Sequence, residues 1–516
     1  MPNRNTDELF QLIKSLDKGE KRNFKLYIKR ISGYEDLKSV LLFDALDKME
    51  VYDEEYLLKK HRSIKKQQLS NMKAGLYKQL LASLRHSNDD DNIDMQLNEQ
   101  MSYARILYNK GLYLQALKVL GKIKHLAKEH YQLTFQMQAL FFEKKIEALH
   151  ITRSLENRAE RLSFEIDDVN MHLSQMSSLS NLSLQLYGLY IKMGHARDEK
   201  DVEAVKTFFE ANLPVCHLED MQFYEKLYLY QSYCWYNFIL QDLLMYYRYS
   251  QKWVDLFEQE PFMKKVEAGQ YIKGIHNLLS AHFDLSNYDG FNDTLHRFET
   301  FSTSDYANIN ANARIQTFVY LHIAKINKHF LEGTFEQGLE LVPYIEEKLK
   351  EYQLQLDRHR ILVFYYKIAC LYFGSGNNEK AIDYLNKIIH LKVDLRTDLQ
   401  CYARLLHLIA HYELGNHQLL EYLIKSVYRF MAKMKNLSVV EEEIFKFLRK
   451  SFALAPDKMI PAFVKLKEKL QGIEGKPLES RSFMYLDIIA WLESKIQHVP
   501  VQEVRRVRFL SGRKTK

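Results

Sequence analysis

His407 and His411 stand four residues apart in a helical stretch, with His417 close behind. Side chains at that spacing share one helix face, and two imidazoles so placed can hold a zinc-type ion when a further ligand joins them. No third ligand follows at a fixed spacing, so the pair reads as structural or surface histidine. His322 and His329, two turns apart, make a weaker case. Asp89-Asp90-Asp91 offers three carboxylates, the ligands of a hard cation. Nothing in the polar run from His86 to Asn92 fixes their geometry, and a hydrated linker is expected. Gly374-Ser375-Gly376 has the look of a phosphate-loop fragment, yet it stands where a helix must end, which itself calls for glycine. The chain contains no G-x-x-x-x-G-K-[ST], G-x-S-x-G or H-E-x-x-H, and no strand-borne G-x-G-x-x-G. Catalytic, cofactor and metal sites are therefore not expected.

Charge offers a second kind of chemistry. The formal net charge is +7, with 18 Lys and Arg against 12 Asp and Glu up to His86, and 6 against 1 from Glu503 onward. Lys59-Lys60-His61-Arg62 with Lys65-Lys66 forms one basic cluster. Arg505, Arg506, Arg508, Arg513, Lys514 and Lys516 form the other. Both suit nucleic-acid phosphates, and the first module suits a helix-turn-helix variant. A solvated basic face and an extended tail account for them equally well.

The elements that carry these residues are helices. Among 516 residues only 18 are Gly and 8 are Pro, well below the usual share, so turns and breakers are sparse. The four cysteines, Cys216, Cys234, Cys370 and Cys401, have no metal or redox spacing and read as small buried hydrophobes on helices, in a reducing compartment. No stretch of about 18 apolar residues is present, and the first residues lack the apolar core of a signal peptide. A soluble, cytoplasmic, all-α protein is expected.

The segment Tyr365–Val393 is the most regular. Tyr365, Ile368, Ala369 and Tyr372 fall on one helix face, Gly376 ends that helix, and Ala381, Leu385 and Ile388 mark the inner face of the next. Ser102–Ile123 repeats the pattern, with Ala104 small, Gly111 at the turn, and Ala116, Leu120 and Ile123 inward. Further turns fall at Gly333, followed by Gly338, Val342 and Ile345 on one helix, and at Gly415, with weaker ones near Gly194, Gln241-Asp242 and Ser286-Asn287. Aromatic-x2-large-small-x2-Tyr followed by Ala-x3-large resembles the tetratricopeptide repeat, over roughly residues 95–440. The resemblance implies a right-handed solenoid of antiparallel helix pairs, whose first helices line a groove for a protein or peptide. Carried onto this chain, its register implies groove positions at Asn98, Arg105, Tyr108 and Asn109, at Trp235 and Phe238, and at Tyr366, Cys370 and Phe373.

Residues 1–86 read as a separate basic helical module, of a kind that resembles the N-terminal part of uncharacterised bacterial repeat proteins. Residues 441–502 hold Pro456, Pro461, Pro477 and Pro500, so shorter helices are expected there, and 503–516 read as a basic tail. The expected function is a scaffold or adaptor that binds a peptide or protein segment in the groove. The alternative is a nucleic-acid-associated regulator acting through its basic ends.

Overall fold

The computed structural model describes residues 7–31, 37–61, 63–87, 92–150, 157–391, 397–434, 438–451, 454–474, 478, 483 and 486–514. Among these residues all regular structure is helical. The chain divides into two compact units, Met1–Arg158 and Ala159–Lys516.

The first unit contains α1 (Glu8–Ser15), α2 (Lys18–Ile31), α3 (Leu37–Lys48), α4 (Glu54–Lys60), α5 (Lys66–Ser87), α6 (Ile93–Asn109), α7 (Tyr113–Glu129) and α8 (Leu133–Leu149). Asp7 caps α1, accepting from the Phe10 amide at 3.1 Å. Asp17 and Glu20 exchange hydrogen bonds through each other's backbone amides, a capping box that starts α2 at Lys18. Only Leu16 and Asp17 separate α1 from α2. Lys73 on α5 ties the start of α1 to α4, with Asp7 at 2.9 Å and Glu54 at 3.4 Å.

The second unit opens with α9 (Arg158–Met193), whose first residue is the last of the first unit, and α10 (Glu199–Asn212). It continues with α11 (Phe223–Leu240), α12 (Leu243–Gln259), α13 (Met263–Val266), α14 (Ala268–Asp284), α15 (Tyr288–Ser302) and α16 (Asp305–Asn308). Next come α17 (Ala311–Glu332), α18 (Phe335–Gly338), α19 (Val342–Glu351), α20 (Arg358–Gly374), α21 (Asn378–Ile389), α22 (Thr397–Glu413) and α23 (His417–Lys433). It closes with α24 (Val439–Ser451), α25 (Pro456–Glu474), α26 (Ile488–Gln497) and α27 (Val501–Lys514). Helices adjacent in sequence pack together, as α11 with α12, α20 with α21 and α22 with α23, and helices further apart also touch, as α12 with α14, α14 with α17 and α17 with α20.

One local device recurs at the expected turns. Gly111, Gln241, Ser286, Gly333, Gly376 and Gly415 all have positive φ, between 52° and 88°. In each case the following amide donates back five residues, as Leu112 to the Leu107 carbonyl and Asn377 to the Tyr372 carbonyl, both at 2.9 Å. This 6→1 bond satisfies an orphan carbonyl at the helix end and reverses the chain. Tyr131 and His498 repeat it at positions the sequence reading did not mark.

Small residues sit where helices meet. Ala369, Ala381, Leu385 and Ile388 are fully buried in one core that also contains Phe364, Tyr402, Phe445 and Trp491. Ala104 and Ala116 are fully buried in the corresponding core of the first unit.

Four expectations are corrected. The helix after Gly333 is cut into α18, a 3-10 turn at Leu339–Leu341 and α19, because Pro343 has no amide hydrogen to continue the first segment. Residues beyond Ser451 do not form only short helices: α25 runs for 19 residues, beginning at Pro456 and containing Pro461. The basic C-terminal segment is not extended but helical, as α27. Cys216 lies outside the helices and is only half-buried. Asp89, Asp90 and Asp91 lie outside the described residues.

Candidate functional site

The first unit presents a cavity of about 500 Å3 between α6 and α8. Its shape follows from how the two helices spend their faces. On α6, Leu97, Met101 and Ala104 point into the core at i, i+4 and i+7. Asn92 caps this helix, accepting from the Asp94 amide at 2.9 Å, and Gly111 ends it. On α8, Leu133, Ala139, Leu140, Glu143 and Ile146 are buried. Glu143 is neutralised behind the core by Lys124 at 2.9 Å and by Arg158. The cavity is lined by Met101, which it shares with the core, by Arg105, Tyr108 and Asn109 from α6, and by Met137, Gln138, Phe141, Phe142 and Lys145 from α8.

That lining contains two cations and no carboxylate. Tyr108 is fixed edge-on to Phe142, with centroids 5.4 Å apart, and leans on Tyr113 at 5.7 Å. Lys145 holds its ammonium 5.3 Å above the Tyr108 ring. Arg105 is exposed and forms no hydrogen bond or ion pair among the described residues. Phe141 is 57% exposed, unusual for a phenyl ring beside a formed cavity. The cavity can thus take an apolar side chain against Phe141, Phe142 and the two methionines, next to an oxyanion on Arg105 and Lys145.

The register placed Arg105, Tyr108 and Asn109 together, and they share this cavity. Asn98 does not line it: its side-chain amide donates to the Asp94 carbonyl one turn back, at 2.8 Å. Met137, Gln138, Phe141, Phe142 and Lys145 were missed, because α8 carries no repeat signature. The i, i+4, i+8 spacing of Met137, Phe141 and Lys145 was the signal available.

In the second unit Trp235 and Phe238 are half-buried in an aromatic group. Trp235 stacks on Tyr190 at 5.5 Å and meets Tyr187 at 4.8 Å, while Phe238 packs on His195 at 4.6 Å and Tyr246 at 4.9 Å. Tyr366 and Phe373 differ from the expectation. Both are buried in the large core, 6% and 7% exposed, because α20 is covered by helices on several sides. Burial pushes the Cys370 thiol up to about 12, so it is protonated and inert.

His407 and His411 face each other in the core with ring nitrogens 3.3 Å apart. Burial, then the neighbouring His411 and Arg404, pull His407 down to about 4. Among the described residues no group of three metal-ligating side chains forms. The basic C-terminal helix is engaged internally. Arg505 pairs with Asp487 at 2.7 Å and donates to the Phe330 carbonyl at 3.0 Å. Arg506 donates to the Glu332 carbonyl at 3.1 Å, and Arg508 pairs with Glu493 at 2.7 Å. Lys59, Lys60, Lys65 and Lys66 are exposed. Among the described residues no helix is long and apolar enough to cross a membrane.

Compared with models of known protein families and with curated proteins, the sequence matches none.

Proposed function

We propose that this chain is a protein-binding scaffold of tetratricopeptide-like helix pairs. Its groove between α6 and α8 takes a partner segment that carries an apolar or aromatic side chain beside a carboxylate. The observation that carries this reading is the lining itself: exposed Phe141 and unpaired Arg105 beside Lys145, with no acidic residue among them. Charge-assisted hydrogen bonds from Arg105 would orient the segment, and burial of Phe141 would supply affinity. The αL turns and the buried Ala104–Ala116 and Ala369–Ala381 positions support the repeat reading. The cytoplasm is the proposed compartment.

The nucleic-acid reading has less in its favour, since Arg505, Arg506 and Arg508 already hold partners within the fold. Affinity capture from the native cell with the intact chain and with Arg105→Ala tests the scaffold reading. Proteins that are retained by the first and lost by the second, at equal helix content, support it. An identical set of captured proteins counts against it.

A further inference from the structure

Four helices of the second unit each bring a chemistry-bearing side chain to one half-buried spot. The Lys273 ammonium on α14 lies 5.7 Å from the centre of the Trp235 ring on α11 and 5.4 Å from that of Tyr320 on α17. Arg360 on α20 lies 5.8 Å from the same Tyr320 ring. His276, about one turn after Lys273, stacks on the Tyr320 ring at 4.3 Å. Lys367, two turns along α20 from Arg360, donates to Asn327 at 2.6 Å.

The charges here are unequally matched. Arg360 has Asp357 at 3.2 Å, and Asp284 stands in the field of Lys367. Burial pushes the Asp284 carboxyl up to about 7, so it carries only part of a negative charge near neutrality. Lys273 has no carboxylate and no hydrogen bond among the described residues. Two ring faces attract an ammonium but accept little from its three N–H groups. The positive field is felt by the neighbours. Burial opposes ionisation of the Tyr320 phenol, yet Lys273 and Arg360 outweigh it and hold the phenol below its usual range. Burial, then Lys273, Lys367 and Arg360, keep His276 neutral, far below the usual imidazole range.

We propose that Lys273, His276, Tyr320 and Arg360 form a binding site for a phosphoryl group. Two helices bring an ammonium, an imidazole and a guanidinium within 6 Å of the Tyr320 ring on a third, beside its own phenol hydrogen. A tetrahedral oxyanion can meet donors arranged this way, whereas the two coplanar oxygens of a carboxylate leave some of them unused. A dianion also offsets the positive charge left over after Asp357 and Asp284. The site is independent of the groove between α6 and α8.

The test is calorimetric titration of the intact protein near pH 8 with inorganic phosphate, adenosine monophosphate and acetate. Saturable binding of phosphate and of the mononucleotide, with acetate much weaker, is expected. A tighter mononucleotide assigns the source as a phosphate ester, and equal affinities assign it as the free ion; both sustain the proposal. Lys273→Met keeps the stem against Trp235 and Tyr320 and should weaken binding about tenfold or more at unchanged helix content. Arg360→Gln should do the same and serves if the first variant misfolds. Absence of saturable phosphate binding, acetate binding equal to phosphate, or undiminished binding by a folded variant would overturn the assignment.

Discussion

Gly333 and Gly376 allow one prediction in which packing is separated from backbone strain. Both have positive φ, 67° and 88°, at turns of the same type. An alanine in this conformation is strained by about 1–2 kcal/mol. At Gly376 a Cβ would meet nothing within 4 Å, so Gly376→Ala should be destabilising by that amount alone. At Gly333 a Cβ would fall on the backbone nitrogen of Arg506 and 2.7 Å from the carbonyl carbon of Arg505. Backbone atoms of a helix cannot rotate away, so α27 must withdraw. It would then lose the bond between Gln502 and the Glu336 amide at 2.8 Å, together with those of Arg505 to Phe330 and Arg506 to Glu332. Three bonds at about 0.5–1.5 kcal/mol each, added to the strain, give roughly 3–6 kcal/mol for Gly333→Ala. Urea denaturation of both variants measures the two values, and hydrogen exchange reports whether the amides of α27 lose protection. Equal destabilisation, with α27 still protected in Gly333→Ala, would refute the claim that this helix is clamped on the turn.

Three further outcomes follow from the packing and the charges. Ala381→Leu adds volume to a fully buried site between α20 and α21 and should be destabilising by about 1–3 kcal/mol, read from the urea midpoint. His407 stays neutral in the fold down to about 4, whereas the unfolded chain takes up its proton near 6.5. Its contribution is therefore intact above 6.5 and lost as pH falls from 6.5 toward 4. His407→Gln should flatten that acid limb by up to about 3 kcal/mol, measured as urea midpoints at pH 7 and pH 4.5. Deleting residues 503–516 should lower the melting temperature, because α27 is a structural helix, while retention on DNA at physiological salt stays absent before and after.

Much of this architecture was legible from the residues. Each glycine marked as a helix end took the left-handed conformation, and so did Gln241 and Ser286, where only the surrounding periodicity pointed to a turn. Ala369 and Ala381 announced a close helix contact because no larger residue fits there. The repeat signature located Arg105, Tyr108 and Asn109 on one wall of a cavity but was silent on the other wall, since α8 departs from it. Tyr366 and Phe373 were misjudged for a different reason. Periodicity tells which residues share a face, not how many neighbouring helices cover it. The C-terminal arginines show the same limit, because their carboxylate and carbonyl partners come from α17, α26 and the residue before α26, more than 170 residues away for both α17 carbonyls.

The central claim is that the groove between α6 and α8 reads an apolar side chain next to a carboxylate. Selection of a random peptide library on the immobilised full chain tests it directly, with Arg105→Ala as the counter-selection. Enrichment of Asp or Glu adjacent to aromatic or large aliphatic residues is predicted, with affinity falling by about 1.5–3 kcal/mol on the variant. Peptides without acidic residues, or peptides held equally well by Arg105→Ala, would contradict it.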